Sequence, residues 1–131
     1  MDIVIDAAAH DAILRSVKES HPDEACGLLL GSSGLIQVAL NAANVHPEPA
    51  RHFEIDPVAL VAAHRDARAG GPEVLGYYHS HPNGLARPSE TDLRDAAHDG
   101  RIWLIVAHES VTAWKDTPSG FEPLSYTLQE G

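Results

Sequence analysis

The sequence predicts a single α+β domain in which helices pack against a mixed central β-sheet. Three observations lead there. The 131 residues fit one domain, 1–131, with no linker, internal repeat or low-complexity tract. The hydrophobic fraction of 44% is that of an ordinary globular chain able to bury a core. Strand-like and helix-periodic runs then follow one another without strict alternation, which favours a mixed sheet over a doubly wound parallel one.

The elements follow in order. IVI at 3–5 reads as a first strand, and Asp6 caps a helix over 7–19 with Ala9, Ile13, Leu14 and Val17 on its apolar face. HPDEA is a loop. GLLLG and LIQVALNAANV, joined by SSG, read as a hairpin. NVHPEPARH is irregular, because its two prolines cannot donate to a ladder. HFEID reads as a short strand, and Asp56-Pro57 starts a helix that stops at Gly70-Gly71. VLGYYHSH at 74–81 is a strand. Pro88-Ser89 opens another helix, expected to end near Gly100, and RIWLIVAH, VTAWK and PLSYTLQ close the chain as strands.

Composition excludes several functions. With 9 basic against 19 acidic residues the formal charge is −10, so phosphate backbones and anionic lipids are repelled and neither nucleic acid nor membrane is an expected partner. One cysteine permits no disulfide within the chain and no multi-thiolate zinc site. The first twenty residues lack a basic and then long apolar leader, and no stretch has the length to span a bilayer. The expected location is cytoplasmic.

The chemistry concentrates in HSHPNGLARPSETD, residues 79–92. Alternation along a strand puts His79 and His81 on one face with Tyr77, and Tyr78 and Ser80 on the other. The PNGLARP loop must turn the chain sharply before Ser89 and Asp92. Those two have the spacing of a capping box, a reading in which they only start a helix. Taken together, two imidazoles and a carboxylate make three ligands suited to Zn²⁺. The fourth position is left to a water that the metal would acidify into a nucleophile.

The run His-Ser-His, seven residues, Ser, two residues, Asp resembles the pattern of the JAMM (MPN-plus) zinc metallopeptidases. HPDEACGLLLG, FEIDP and GYYHSHP are similar to that family as well, and the resemblance covers roughly 23–106. It implies a compact prokaryotic-type MPN-like domain holding one Zn²⁺ with a bound water, ligated by His79, His81 and Asp92. It makes Glu24 the general base and Ser89 a donor to the oxyanion. Local chemistry alone does not single out Glu24 among the carboxylates. It requires only a non-ligand carboxylate near the metal, for which Glu90 is the other candidate within 79–92. The resemblance further implies cleavage after the C-terminal Gly-Gly of a ubiquitin-like or sulfur-carrier protein, releasing cysteine or a lysine-linked protein. The alternative is a non-catalytic MPN scaffold, which would lack the ligands. A zinc deaminase needs a Cys-x-x-Cys pair that one cysteine cannot supply.

Four further residues have two readings. Cys26 is either a redox-sensitive thiol or a small buried residue opening a strand. Arg87 either contacts substrate or is a solvated loop charge. Trp103 and Trp114 are read as core or sheet surface rather than as stacking platforms. The other seven histidines, at 10, 21, 46, 52, 64, 98 and 108, are read as solvent-facing.

Overall fold

The structure, a computed structural model, describes residues 3–82 and 84–130. Strand β1 (Ile3–Asp6) enters helix α1 (Ala7–Ser20), which Asp6 caps by accepting from the Ala8 N–H at 3.0 Å. Strands β2 (Cys26–Ser32) and β3 (Leu35–Ala42) form the hairpin, turned by Ser33 and Gly34 at positive φ. Helix α2 (Pro57–Arg68) starts as read, with Asp56 capping Val58 N and proline in its first turn. Strand β4 (Glu73–Ser80) carries the histidines, and helix α3 (Glu90–Asp95) follows the loop. Strands β5 (Ile102–Ala107), β6 (Ser110–Thr117), β7 (Gly120–Leu124) and β8 (Tyr126–Gln129) complete an eight-stranded sheet.

The strand order is β7-β6-β5-β4-β2-β3-β1-β8. β4 lies near its middle, antiparallel to β2 and parallel to β5. Consecutive strands β7 and β8 stand at opposite ends of this order with one residue between them, so the sheet must curl until its edges approach. A bond from the Tyr126 hydroxyl of β8 to the Val111 carbonyl of β6 ties the two ends together. Inside the curl, Ile5, Ile13, Leu29, Ile36 and Leu104 form a fully buried core closed by α1. On the outer face, Leu28, Val74 and Tyr77 pack under Ala59, Leu60 and Ala63 of α2.

Local side chains fix β4 in this frame. Tyr78 is buried on the inner face, and its hydroxyl donates to Ser16 of α1, which in turn donates to Asn41 of β3. Gly76 sits so close to β5 that any Cβ there would collide with the Ile102 carbonyl.

Three expectations are corrected. HFEID is not a strand: only an isolated bridge, Asn44 to Ile55, forms there. The reason is Asn44, whose side-chain amide donates to the carbonyls of Glu24 and His52 and accepts from the N–H groups of His46 and Glu54. The backbone groups a ladder would need are therefore already used. The helix opened by Ser89 ends at Asp95, not near Gly100. Buried Asp116 draws the chain away, its carboxylate accepting from His98 N and its carbonyl from Gly100 N. PLSYTLQ is two strands, because the chain crosses at Ser125 from one edge of the curl to the other.

The Asn44 hub ties the segment over the outer face to the residue preceding β2. Asn44→Ala is expected to cost about 1–2 kcal/mol, the loss of several part-buried hydrogen bonds whose partners water can reach only incompletely. Urea denaturation followed by tryptophan fluorescence measures it.

Candidate metal centre

One register brings the site together. Cys26 of β2 pairs with His79 of β4 in antiparallel sense, and the pairing continues as Ser80 N donates to the Ala25 carbonyl. Two residues beyond that pair in opposite directions stand Glu24 and His81, which therefore face one another. Ser80, on the far face, accepts from the Ala25 N–H at 2.8 Å and holds the start of β2 against the end of β4. Glu24 is further pinned through its backbone, its N–H donating to the Pro49 carbonyl and its own carbonyl accepting from Asn44.

His79 and His81 share a face, as alternation requires, and their Nε2 atoms lie 3.0 Å apart. Asp92 Oδ2 stands 3.2 Å from each of them. Ser89 and Asp92 do form the capping box: the Ser89 hydroxyl oxygen accepts from Asp92 N at 3.0 Å, and Ser89 N donates to Asp92 Oδ2 at 2.9 Å. The helix-start reading therefore holds, and the same box aims the Asp92 carboxylate at the histidines. Glu24, 7% exposed, completes the cluster: it, His79 and His81 each present a ligand atom within 4.8 Å of the others.

His79 is fixed by aromatic packing that no sequence pattern announced. Phe53 stacks on its ring at 4.3 Å, and Trp103 of β5 meets it edge-on at 5.5 Å. Trp103 is buried, as the core reading has it, but it also forms a wall of the site. Phe53 escaped notice because its segment read as a strand, and Asn44 because a lone asparagine in a loop carries no distinctive spacing.

The donor set fits a cation. His81 Nδ1 lies 2.8 Å from the Leu85 carbonyl, an acceptor only, so this nitrogen carries a proton. The inward Nε2 hydrogen-bonds Asp92 while His81 is protonated and becomes a bare ligand atom once that second proton is lost. Two imidazole nitrogens and a carboxylate oxygen 3.0–3.2 Å apart repel unless they share a positive charge. Their spacing is close to the edge, about 3.3 Å, of a tetrahedron around an ion with ligands at about 2.0–2.1 Å. His79 Nδ1 is buried with no hydrogen-bond partner among the described residues.

The electrostatics agree. Burial would raise the Asp92 carboxyl, but hydrogen bonds from His79 and His81 bring it well below the usual carboxylate range, so it stays anionic. Complete burial lowers His79 and keeps its ring neutral. Burial pushes the Glu24 carboxyl up to about 7; His81 opposes this and Asp92 adds to it. Cys26 settles on its packing reading: it is fully buried, and burial, with Glu24 nearby, pushes its thiol up to about 12.

Two cavities meet at the cluster. One of about 360 Å³ is mostly apolar, walled by Phe53, Ile55, Leu60, Tyr77 and Trp103. The other, of about 520 Å³, is lined by Arg51, His81, Leu85 and Arg87. Glu24, Arg51 and Ser89 belong to both, so the two form one groove across the site.

A curled mixed sheet presenting two histidines, an aspartate and a buried glutamate along a groove is the architecture of a metal-dependent hydrolase. Residues 6–117 match the family described as prokaryotic homologs of the JAB domain. Relatives include a desampylase from Haloferax volcanii, 33% identical over 130 residues and spanning 94% of each chain. A CysO-cysteine peptidase from Mycobacterium tuberculosis is 28% identical over 98% of this chain and 84% of its own. The solution structure of protein DSY2949 from Desulfitobacterium hafniense superposes with a TM-score of 0.87 at 28% identity, covering 100% of this chain and 94% of that one. The chain belongs to the prokaryotic branch of the JAMM (MPN-plus) family and is a hydrolase.

The Glu24 carboxyl has a consequence for stability. Its folded value of about 7 lies above its ordinary 4.5, so its contribution is complete below about 4.5 and is lost as pH rises through about 7. In chelator-treated protein, Glu24→Gln removes that loss. It is expected to match wild type in melting temperature near pH 4.5 and to exceed it at pH 8, as read by scanning calorimetry.

Proposed function

We propose that the chain is a zinc-dependent peptidase or isopeptidase that hydrolyses the bond after the C-terminal Gly-Gly of a ubiquitin-like or sulfur-carrier protein. The observation that carries this reading is the buried Glu24 carboxylate, set opposite His81 by the Cys26–His79 pair and within 4.8 Å of both imidazoles, beside the Asp92 oxygen 3.2 Å from each. A base that is not needed as a ligand thus stands next to a set of three that are.

His79, His81 and Asp92 would hold one Zn²⁺, for which two imidazoles and a carboxylate are suitable ligands. When bound, the metal polarises the scissile carbonyl and acidifies a ligated water. Glu24 takes the proton from the attacking water and delivers it to the leaving nitrogen as the C–N bond breaks. A carboxyl pushed up to about 7 suits both transfers near neutral pH. The Ser89 hydroxyl oxygen accepts from Asp92 N, which leaves its own proton to donate to the carbonyl oxygen as negative charge develops there. Glycine at the scissile position lets the substrate backbone come close to so buried a cluster.

The names of the relatives, a desampylase and a CysO-cysteine peptidase, support a protein carrier as substrate. No helix among the described residues is long and apolar enough to cross a membrane. The proposed location is cytoplasmic, as the single cysteine suggests.

The test is intact-mass detection of adduct release from ubiquitin-like sulfur carriers, with metal content measured alongside. Wild type loaded with zinc is expected to remove the adduct. Glu24→Ala should retain zinc and lose at least about 10²-fold in turnover, whereas Asp92→Ala should lose the zinc itself. Full metal retention in Asp92→Ala would contradict the ligand assignment.

A further inference from the structure

The groove is chemically lopsided. The half walled by Phe53, Leu60, Tyr77 and Trp103 is apolar and also carries the carboxylates Glu54 and Asp95. The other half has Arg87 and, where the two halves meet, Arg51, and among the described residues Glu24 is the one acidic residue in its lining. In a chain with 9 basic and 19 acidic residues, two guanidinium groups on one cavity run against the overall balance. Both side chains are exposed, and among the described residues neither enters an ion pair or a side-chain hydrogen bond. They come from two separate segments, Arg51 from the irregular stretch before α2 and Arg87 from the loop before α3.

We infer that this half of the groove receives the leaving group, and that Arg51 and Arg87 bind a carboxylate on it, the free α-carboxylate of a single amino acid released from the carrier's C-terminus. The inference rests on the peptidase reading above and adds the identity of the leaving group.

Charge fixes the direction in which the substrate lies. On the carrier side of the scissile bond a Gly-Gly tail offers only backbone, with no anion for two arginines to meet. On the leaving side, a one-residue leaving group has its carboxyl carbon two bonds from the departing nitrogen, about 2.5 Å away. That places an anion beside the cluster, next to His81 and Ser89, which line the same cavity. Guanidinium forks suit a planar carboxylate and can bind it in bidentate fashion. A lysine-linked protein carries no such anion at that point, so the site should discriminate against it. An acidic side chain on the leaving group is the second source of a carboxylate and is kept apart in the test.

Three peptides with the sequence of a carrier tail decide it, each ending in Gly-Gly followed by one residue: alanine with a free carboxylate, alanine amide, and aspartate amide. Alanine replaces cysteine so that no thiolate can ligate the metal. Zinc-loaded wild type is expected to cleave the free acid with a kcat/KM about 10- to 100-fold above the alanine amide, the range of one or two charge-assisted hydrogen bonds. In Arg51→Ala/Arg87→Ala that ratio should fall toward one through loss on the free acid, with zinc content unchanged. Aspartate amide cleaved as fast as the free acid would support the same two arginines with a side chain as the source. Equal rates for free acid and alanine amide in wild type, or an equal loss on both in the double variant, would overturn the subsite. Failure of zinc-loaded wild type on all three peptides would overturn the peptidase reading itself, and the subsite with it.

Discussion

Everything at this site depends on the antiparallel register of β2 against β4. Pairing Cys26 with His79 is what sets Glu24 opposite His81. A slip of one residue would turn Glu24 to the other face of the sheet and take its carboxylate away from the histidines. The register is held from several sides. Ser80 accepts from the Ala25 N–H, Tyr78 bonds to α1 through Ser16, and Gly76 lets β5 come up close along the other edge of β4. Leu28 and Leu29 then pack on opposite faces, under α2 and within the curl respectively. Burial on both faces is what makes such a register hard to shift.

On this frame the site is an excess of acceptors. The Leu85 carbonyl fixes the His81 tautomer, the capping box holds the Asp92 carboxylate, and Phe53 and Trp103 fix the plane of His79. None of the three inward atoms needs to move to surround a cation, so little reorganisation opposes binding. The same crowding explains Glu24. A second carboxylate in so dry a place resists ionisation, and a group that resists ionisation is a competent proton carrier near neutral pH. The α3 start thus acts as a helix cap and, in the proposed site, as the arm that presents a ligand.

What the sequence disclosed divides along physical lines. His79, His81, Ser89 and Asp92 were legible because strand alternation and a helix cap are local, and a fourteen-residue stretch contains them all. Glu24 was not legible locally, since its place depends on a strand pairing across more than fifty residues. Only the family resemblance supplied it. Phe53 and Asn44 stayed hidden for a related reason: the Asn44 amide replaces a ladder with side-chain bonds, so an apolar alternation that looked like a strand became a strap carrying an aromatic ring onto His79. The early end of α3 follows from buried Asp116, eighteen residues beyond His98, and the break at Ser125 from closure of the curl. Tertiary partners overrode local propensity in each case.

The central claim is that the paired imidazoles of His79 and His81, with carboxylate oxygen, form the metal site, and X-ray absorption at the zinc edge tests it most directly. Protein reconstituted with one equivalent of zinc should show two imidazoles and otherwise only oxygen ligands at about 2.0–2.1 Å. A sulfur scatterer at about 2.3 Å, or fewer than two imidazoles, would contradict it.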